Sequence, residues 1–114
     1  MLDERIKTFL KTEKLCDENF FDYIENKIVY LPSDSDTFWY GCHPILENNI
    51  IKDIRVVVPE IKTEKDILIN IHEFTHALEL YYELETVYEE RREEREKLAQ
   101  TMEKQYLKQK KQKK

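Results

Sequence analysis

The stretch TEKDILINIHEFTHALELYY, residues 63–82, decides how this chain is read. Its apolar residues recur at helical spacing. Ile67, Ile71, Phe74, Leu78 and Tyr81 make one stripe, and Ile69, His72, Glu73, His76 and Leu80 make a second. A helix that is apolar on two sides is a central one, with layers packed on both. Thr63 followed by Asp66 is a capping box that starts it. The spacing predicts a helix from Ile67 to about Tyr82.

His72-Glu73-Phe74-Thr75-His76 within it is an HExxH motif. Residues four apart on a helix lie one turn above each other, so both imidazoles face the same way and can ligate one Zn²⁺. Glu73 adjoins the first ligand. It is placed to act as general base on the zinc-bound water and then to pass the proton to a leaving amine. Two buried imidazoles with a buried glutamate between them would be costly without a metal. The motif therefore points to zinc-dependent peptide hydrolysis, with His72 and His76 as ligands and Glu73 as the catalytic base.

Working outward, Ile50–Val58 is rich in Ile and Val and ends at Pro59, with Asp53–Val58 the best strand. Leu2, Ile6, Phe9 and Leu10 sit at helical spacing near the N-terminus. Asp17 is a candidate cap for a short second helix carrying Phe20, Phe21 and Ile24. Lys27–Leu31 reads as a strand stopped by Pro32. Ser33–Thr37 reads as a polar turn, Phe38–Tyr40 as a short strand and Gly41-Cys42-His43-Pro44 as another turn. Downstream, Thr86-x-x-Glu89 is a second capping box, which starts a C-terminal helix from Val87 to about Leu107. Residues 108–114 read as a basic tail, frayed or disordered. The expected fold is α+β: one domain over residues 1–107, with N-terminal helices, a small mixed sheet, a central HExxH helix and a long C-terminal helix.

A catalytic zinc needs a third protein ligand and one open position. Glutamates crowd residues 83–96, and most are explained as a solvated face laced with arginines. A stripe of Leu84, Val87, Leu98 and Met102 places Glu90 at its edge and Glu94 close by, one turn apart. Glu90 is the expected third ligand, with Glu94 behind it accepting from a ligand histidine. Glu94 as the ligand is the second choice, followed by Glu89 and Glu93.

Composition excludes other chemistries. The 114 residues carry a net charge of −5, but the last fourteen hold six lysines against Glu103, so the first hundred carry −10. An acidic body argues against a nucleic-acid partner. The single glycine, Gly41, excludes the dinucleotide fingerprint and the phosphate loop. Ser33 and Ser35 have no glycine beside them, which excludes a nucleophile elbow. Cys16 and Cys42 lack CxxC spacing and read as reduced thiols. No apolar run approaches the roughly 18–20 residues that span a bilayer. The charged N-terminus is unlike a secretory signal, and the expected setting is the cytoplasm.

The order of strand Asp53–Val58, HExxH helix and glutamate-bearing helix resembles the gluzincin zinc peptidases, and the chain length is similar to that of the minigluzincins. The spacing from His76 to Glu90 is shorter than in large gluzincins. The resemblance implies a substrate, a peptide or protein, bound as an extended strand against a sheet edge, here Phe38–Tyr40 or a neighbouring strand. It also implies an oxyanion-stabilising residue, for which Tyr81, Tyr82 and Tyr88 are candidates. Latency, with Tyr106–Lys114 laid over the cleft, is a further implication, and a thiol cap from Cys42-His43 is weighed beside it. The alternative function is a non-catalytic zinc-binding or helical interaction module.

Overall fold

The computed structural model describes residues 2–13, 16, 18–34 and 39–112. Helices α1 (Glu4–Thr12) and α2 (Glu18–Ile24) come first, and a 3₁₀ turn (Glu25–Lys27) leads into strand β1 (Ile28–Leu31). Strands β2 (Gly41–Glu47) and β3 (Ile50–Pro59) follow, then the long helices α3 (Glu64–Tyr82) and α4 (Arg92–Gln112). The fold is α+β, as the hydrophobic patterning predicts. Among the described residues, no helix is long and apolar enough to cross a membrane.

β3 lies at the middle of the sheet, parallel to β1 and antiparallel to β2. It buries Ile51, Ile54, Val56 and Val58 and turns Lys52 and Arg55 to solvent. The step of three from Ile51 to Ile54 breaks a strand's period of two. The register explains it: Ile45 pairs with Asp53 but Leu46 pairs with Ile51, so Lys52 is the extra residue of a bulge. On the buried side lie Ile6, Phe9 and Leu10 of α1, Phe20, Phe21 and Ile24 of α2, and Ile67, Ile71, Phe74 and Leu78 of α3. Each large side chain so buried contributes about 1.5–3 kcal/mol of transfer free energy. This core fixes which way α3 faces.

β2 corrects the sequence reading. Gly41-Cys42-His43-Pro44 is the start of this strand rather than a turn, and the reversal comes at Asn48-Asn49. Both asparagines have positive φ, 53° and 65°, the geometry of a two-residue hairpin loop whose twist matches the strands. Pro44 is accommodated because β2 is an edge strand. Trp39 and Tyr40 lie outside any strand, while Phe38, Asp17 and residues 35–37 fall outside the described residues.

The capping box of α3 is present. The Thr63 side chain accepts from the Asp66 amide, and Asp66 Oδ2 accepts from the Thr63 amide at 2.9 Å and the Lys62 amide at 3.0 Å. The Ser33 hydroxyl donates to the same oxygen, tying the chain after β1 to the head of α3. Burial opposes the charge on Asp66, but these donors outweigh it and hold the carboxyl below its ordinary value. A lowered folded value adds stability that is fully present above the unfolded value, near 3.9, and is lost as pH falls through the folded one. Asp66→Ala is expected to cost about 1–3 kcal/mol at neutral pH. Urea titrations at successive pH values should show the gap to wild type closing in acid. A gap independent of pH would contradict the assignment.

The second helix boundary differs more. α4 begins at Arg92, five residues after the predicted start at Val87. Thr86 does not cap it; its hydroxyl donates to the Glu83 carbonyl at 2.6 Å. Residues 85–88 instead lie along the start of β3. The Glu85 amide donates to Ile51 O, the Ile51 amide to Thr86 O and the Tyr88 amide to Asn49 O, at 2.8–3.0 Å. Backbone pairing to a sheet edge outcompetes local helix propensity here. At the other end, α4 continues to Gln112, so residues 108–112 are helical rather than frayed.

Candidate metal centre

α3 turns Ile71, Phe74 and Leu78 into the core, which leaves His72, Glu73 and His76 half-buried on a neighbouring face. These three residues form a group that can hold a metal ion, one ligand atom of each lying within 4.8 Å of the others. The two Nε2 atoms are 3.2 Å apart, with the rings at 75° to each other.

α4 returns across this face and brings Glu96 to it. Glu96 Oε1 lies 2.9 Å from His76 Nε2 and 3.2 Å from His72 Nε2. A tetrahedral zinc with bonds near 2.0–2.1 Å separates its ligand atoms by about 3.3 Å, so this triangle has nearly the size of one face of such a site. The chemistry agrees with the geometry. A carboxylate oxygen can only accept, and two facing imidazole nitrogens offer lone pairs unless protonated. Three such atoms at these distances can hold a cation among them.

A carboxylate stands behind each ring. Glu103 Oε2 is 3.4 Å from His72 Nδ1, and Glu79 Oε1 is 3.9 Å from His76 Nδ1. The charges respond accordingly. Burial opposes a charge on His72, but Glu73, Glu96 and Glu103 together hold its pKa above the ordinary value. His76 is pushed down by burial and by His72. Burial raises Glu73 to about 7, against the pull of His72 and with the help of Glu96 and Glu103. Glu96 is drawn below its ordinary value because the two histidines outweigh its burial.

Glu90 and Glu94 do not occupy the predicted places. Glu90 lies exposed in the connector before α4, at the rim of the cleft, and Glu94 is exposed beside Arg91 and Glu93. Glu89 pairs with Arg91 at 2.9 Å. The predicted face assumed a helix from Val87 with Leu98 near its centre. The inward face of α4 is instead Arg95, Ala99, Met102 and Tyr106, with Leu98 exposed. Glu96 and Glu103, seven residues apart, fall on one side of that face. The signal that could have found it is Ala99, a small residue in a charged run and fully buried.

Glu73 and His76 open onto a cleft of about 370 Å³ whose lining includes Tyr40, Cys42, Pro44, Leu80, Tyr88 and Glu96. β2 borders it as an edge strand. Of the three tyrosines singled out from sequence, Tyr88 lines this cleft. Tyr81 packs against Phe20 and Tyr23, with ring centroids 5.3 Å away in each case, and Tyr82 is exposed. Tyr40, which the sequence reading placed in a strand, also lines the cleft, its hydroxyl donating to Pro32 O at 2.9 Å. His43 is exposed, its ring beside Gly41. Neither Cys16 nor Cys42 is joined in a disulfide. The described part of the C-terminal segment does not cover the cleft. Tyr106 packs edge-on against Phe9, Gln109 bonds Glu13, and Lys110 pairs with Glu64 at 2.6 Å.

No family model, curated protein or solved structure matches this chain.

Proposed function

We propose that the chain is a zinc-dependent peptidase. The observation that carries this reading is the triangle of His72 Nε2, His76 Nε2 and Glu96 Oε1, with edges of 2.9–3.2 Å and Glu73 one residue from its first corner. A donor set of two imidazoles and one carboxylate suits Zn²⁺ with a position left open. Zinc would supply Lewis acidity there, making water a nucleophile near neutral pH and polarising the scissile carbonyl. Glu73 takes the proton from the attacking water and returns it to the leaving amine. Its burial suits that exchange, because a carboxylate kept from water is a stronger base than one in solvent. Glu103, 3.4 Å from His72 Nδ1, accepts from that ring and holds its orientation, and Glu79, 3.9 Å from His76 Nδ1, stands behind the second ring, where it would accept once a metal held Nε2.

The substrate proposed is an extended peptide. It would add to the edge strand β2, where main-chain hydrogen bonds supply affinity without regard to sequence. The gluzincin resemblance remains part of this proposal. Replacing Glu90 by Glu96 as the third ligand lengthens the spacing from His76 by six residues, towards that of the large members.

The test is hydrolysis of a mixture of internally quenched peptides. Cleavage should stop on treatment with 1,10-phenanthroline and return on adding back about one equivalent of Zn²⁺. Cleavage that persists through chelation would overturn the proposal. A protein that binds zinc but cuts none of the peptides would favour the non-catalytic module.

A further inference from the structure

Arg95 precedes the proposed ligand Glu96 and is buried, which is unusual for an arginine. Its guanidinium reaches three acceptors on two elements. Nη2 lies 2.7 Å from Glu83 Oε2 and donates to the Glu89 carbonyl at 3.2 Å, while Nη1 lies 3.6 Å from Glu79 Oε2. Glu79 and Glu83 are on α3 and its C-cap, and Glu89 is on the connector before α4. The other oxygen of Glu79, Oε1, is buried without a hydrogen-bond partner and lies 3.9 Å from His76 Nδ1.

We propose that Arg95 is a positioning residue for two of the three metal ligands: it anchors the first turn of α4 so that Glu96 faces the histidines, and it holds Glu79 behind His76. The inference rests on the metal reading above. A metal on His76 Nε2 confines that ring's proton to Nδ1, which then needs an acceptor. Glu79 Oε1 is such an acceptor with no other partner, and Arg95 fixes the carboxylate by its second oxygen. At the same time the fork to Glu83 and the Glu89 carbonyl sets where α4 starts, and Glu96 is one residue further on. A lysine keeps the charge but cannot span three acceptors with a planar fork.

The experiment measures Zn²⁺ affinity by chelator competition, and the visible spectrum of the Co²⁺-loaded protein, for wild type, Arg95→Met, Arg95→Lys and Glu79→Leu. Circular dichroism checks the fold of each. Loss of such outer partners weakens metal binding about 10–100-fold. Arg95→Met and Glu79→Leu are expected in that range with altered Co²⁺ bands, and Arg95→Lys between them and wild type. A merely structural arginine would lower the melting temperature and leave the Co²⁺ bands unchanged. Should Arg95→Met fail to fold, Glu79→Leu decides: a loss of at least about threefold with shifted bands supports the inference, and a smaller loss overturns it. Wild type that binds no Zn²⁺ removes the metal reading and this inference together. Wild type that binds, beside variants that bind equally, removes the inference alone.

Discussion

Glu73→Gln is expected to keep zinc and lose hydrolysis, with kcat/KM falling about 10²–10⁴-fold, the range typical of a general base. Glutamine has nearly the same shape, so the packing of the HExxH helix survives. It cannot accept a proton at neutral pH, so the step assigned to Glu73 is removed while His72, His76 and Glu96 are untouched. The rate loss should appear in kcat, because the group acts on the reacting atoms and not on substrate affinity. Steady-state kinetics on a cleaved peptide, with the zinc content of the same preparations, provide the check. A variant that keeps wild-type kcat with zinc in place would show that Glu73 is not the base. One that loses zinc would show that Glu73 helps to hold the metal, as its place in the His72–Glu73–His76 group permits.

The second large effect separates the proposed ligand Glu96 from the ones expected from sequence. Glu96→Ala removes the carboxylate that lies within 3.2 Å of both ring nitrogens. Outer partners of a ligand already account for about 10–100-fold in affinity, so loss of a ligand itself should exceed about 100-fold. Glu90→Ala and Glu94→Ala alter exposed side chains away from the triangle and should stay within about twofold. Isothermal titration with Zn²⁺ and a competing chelator makes the comparison. A large loss in Glu90→Ala with none in Glu96→Ala would restore the sequence-derived choice and require α4 to start earlier than Arg92.

That contrast marks what the sequence could reveal. The HExxH helix was legible in full: its capping box, its core stripe and the pairing of the two histidines depend on spacing within one element. β3 was legible too, as a run of Val and Ile ended by proline. β2 was not, because Gly41, Pro44 and His43 look like a turn until an edge position makes the proline harmless. The reversal signal lay seven residues on, at Asn48-Asn49. That Glu96, and not Glu90, lies beside the histidines was missed for a related reason. Its face depends on where α4 begins, and that is set by hydrogen bonds from residues 85–88 to Asn49 and Ile51, far away in sequence. A shift of five residues turns a helix by well over a right angle, so a glutamate predicted to face inward faces outward instead. Within a run of glutamates, no residue type distinguishes the ligand from its neighbours.

The most direct measurement is a crystal structure of the zinc-soaked protein with anomalous data at the zinc edge. The account predicts one strong peak bonded to His72 Nε2, His76 Nε2 and a Glu96 oxygen at about 2.0–2.2 Å, with a fourth position facing the cleft. The two rings turned apart with no peak between them, or a peak closed off by a fourth side chain, would contradict it.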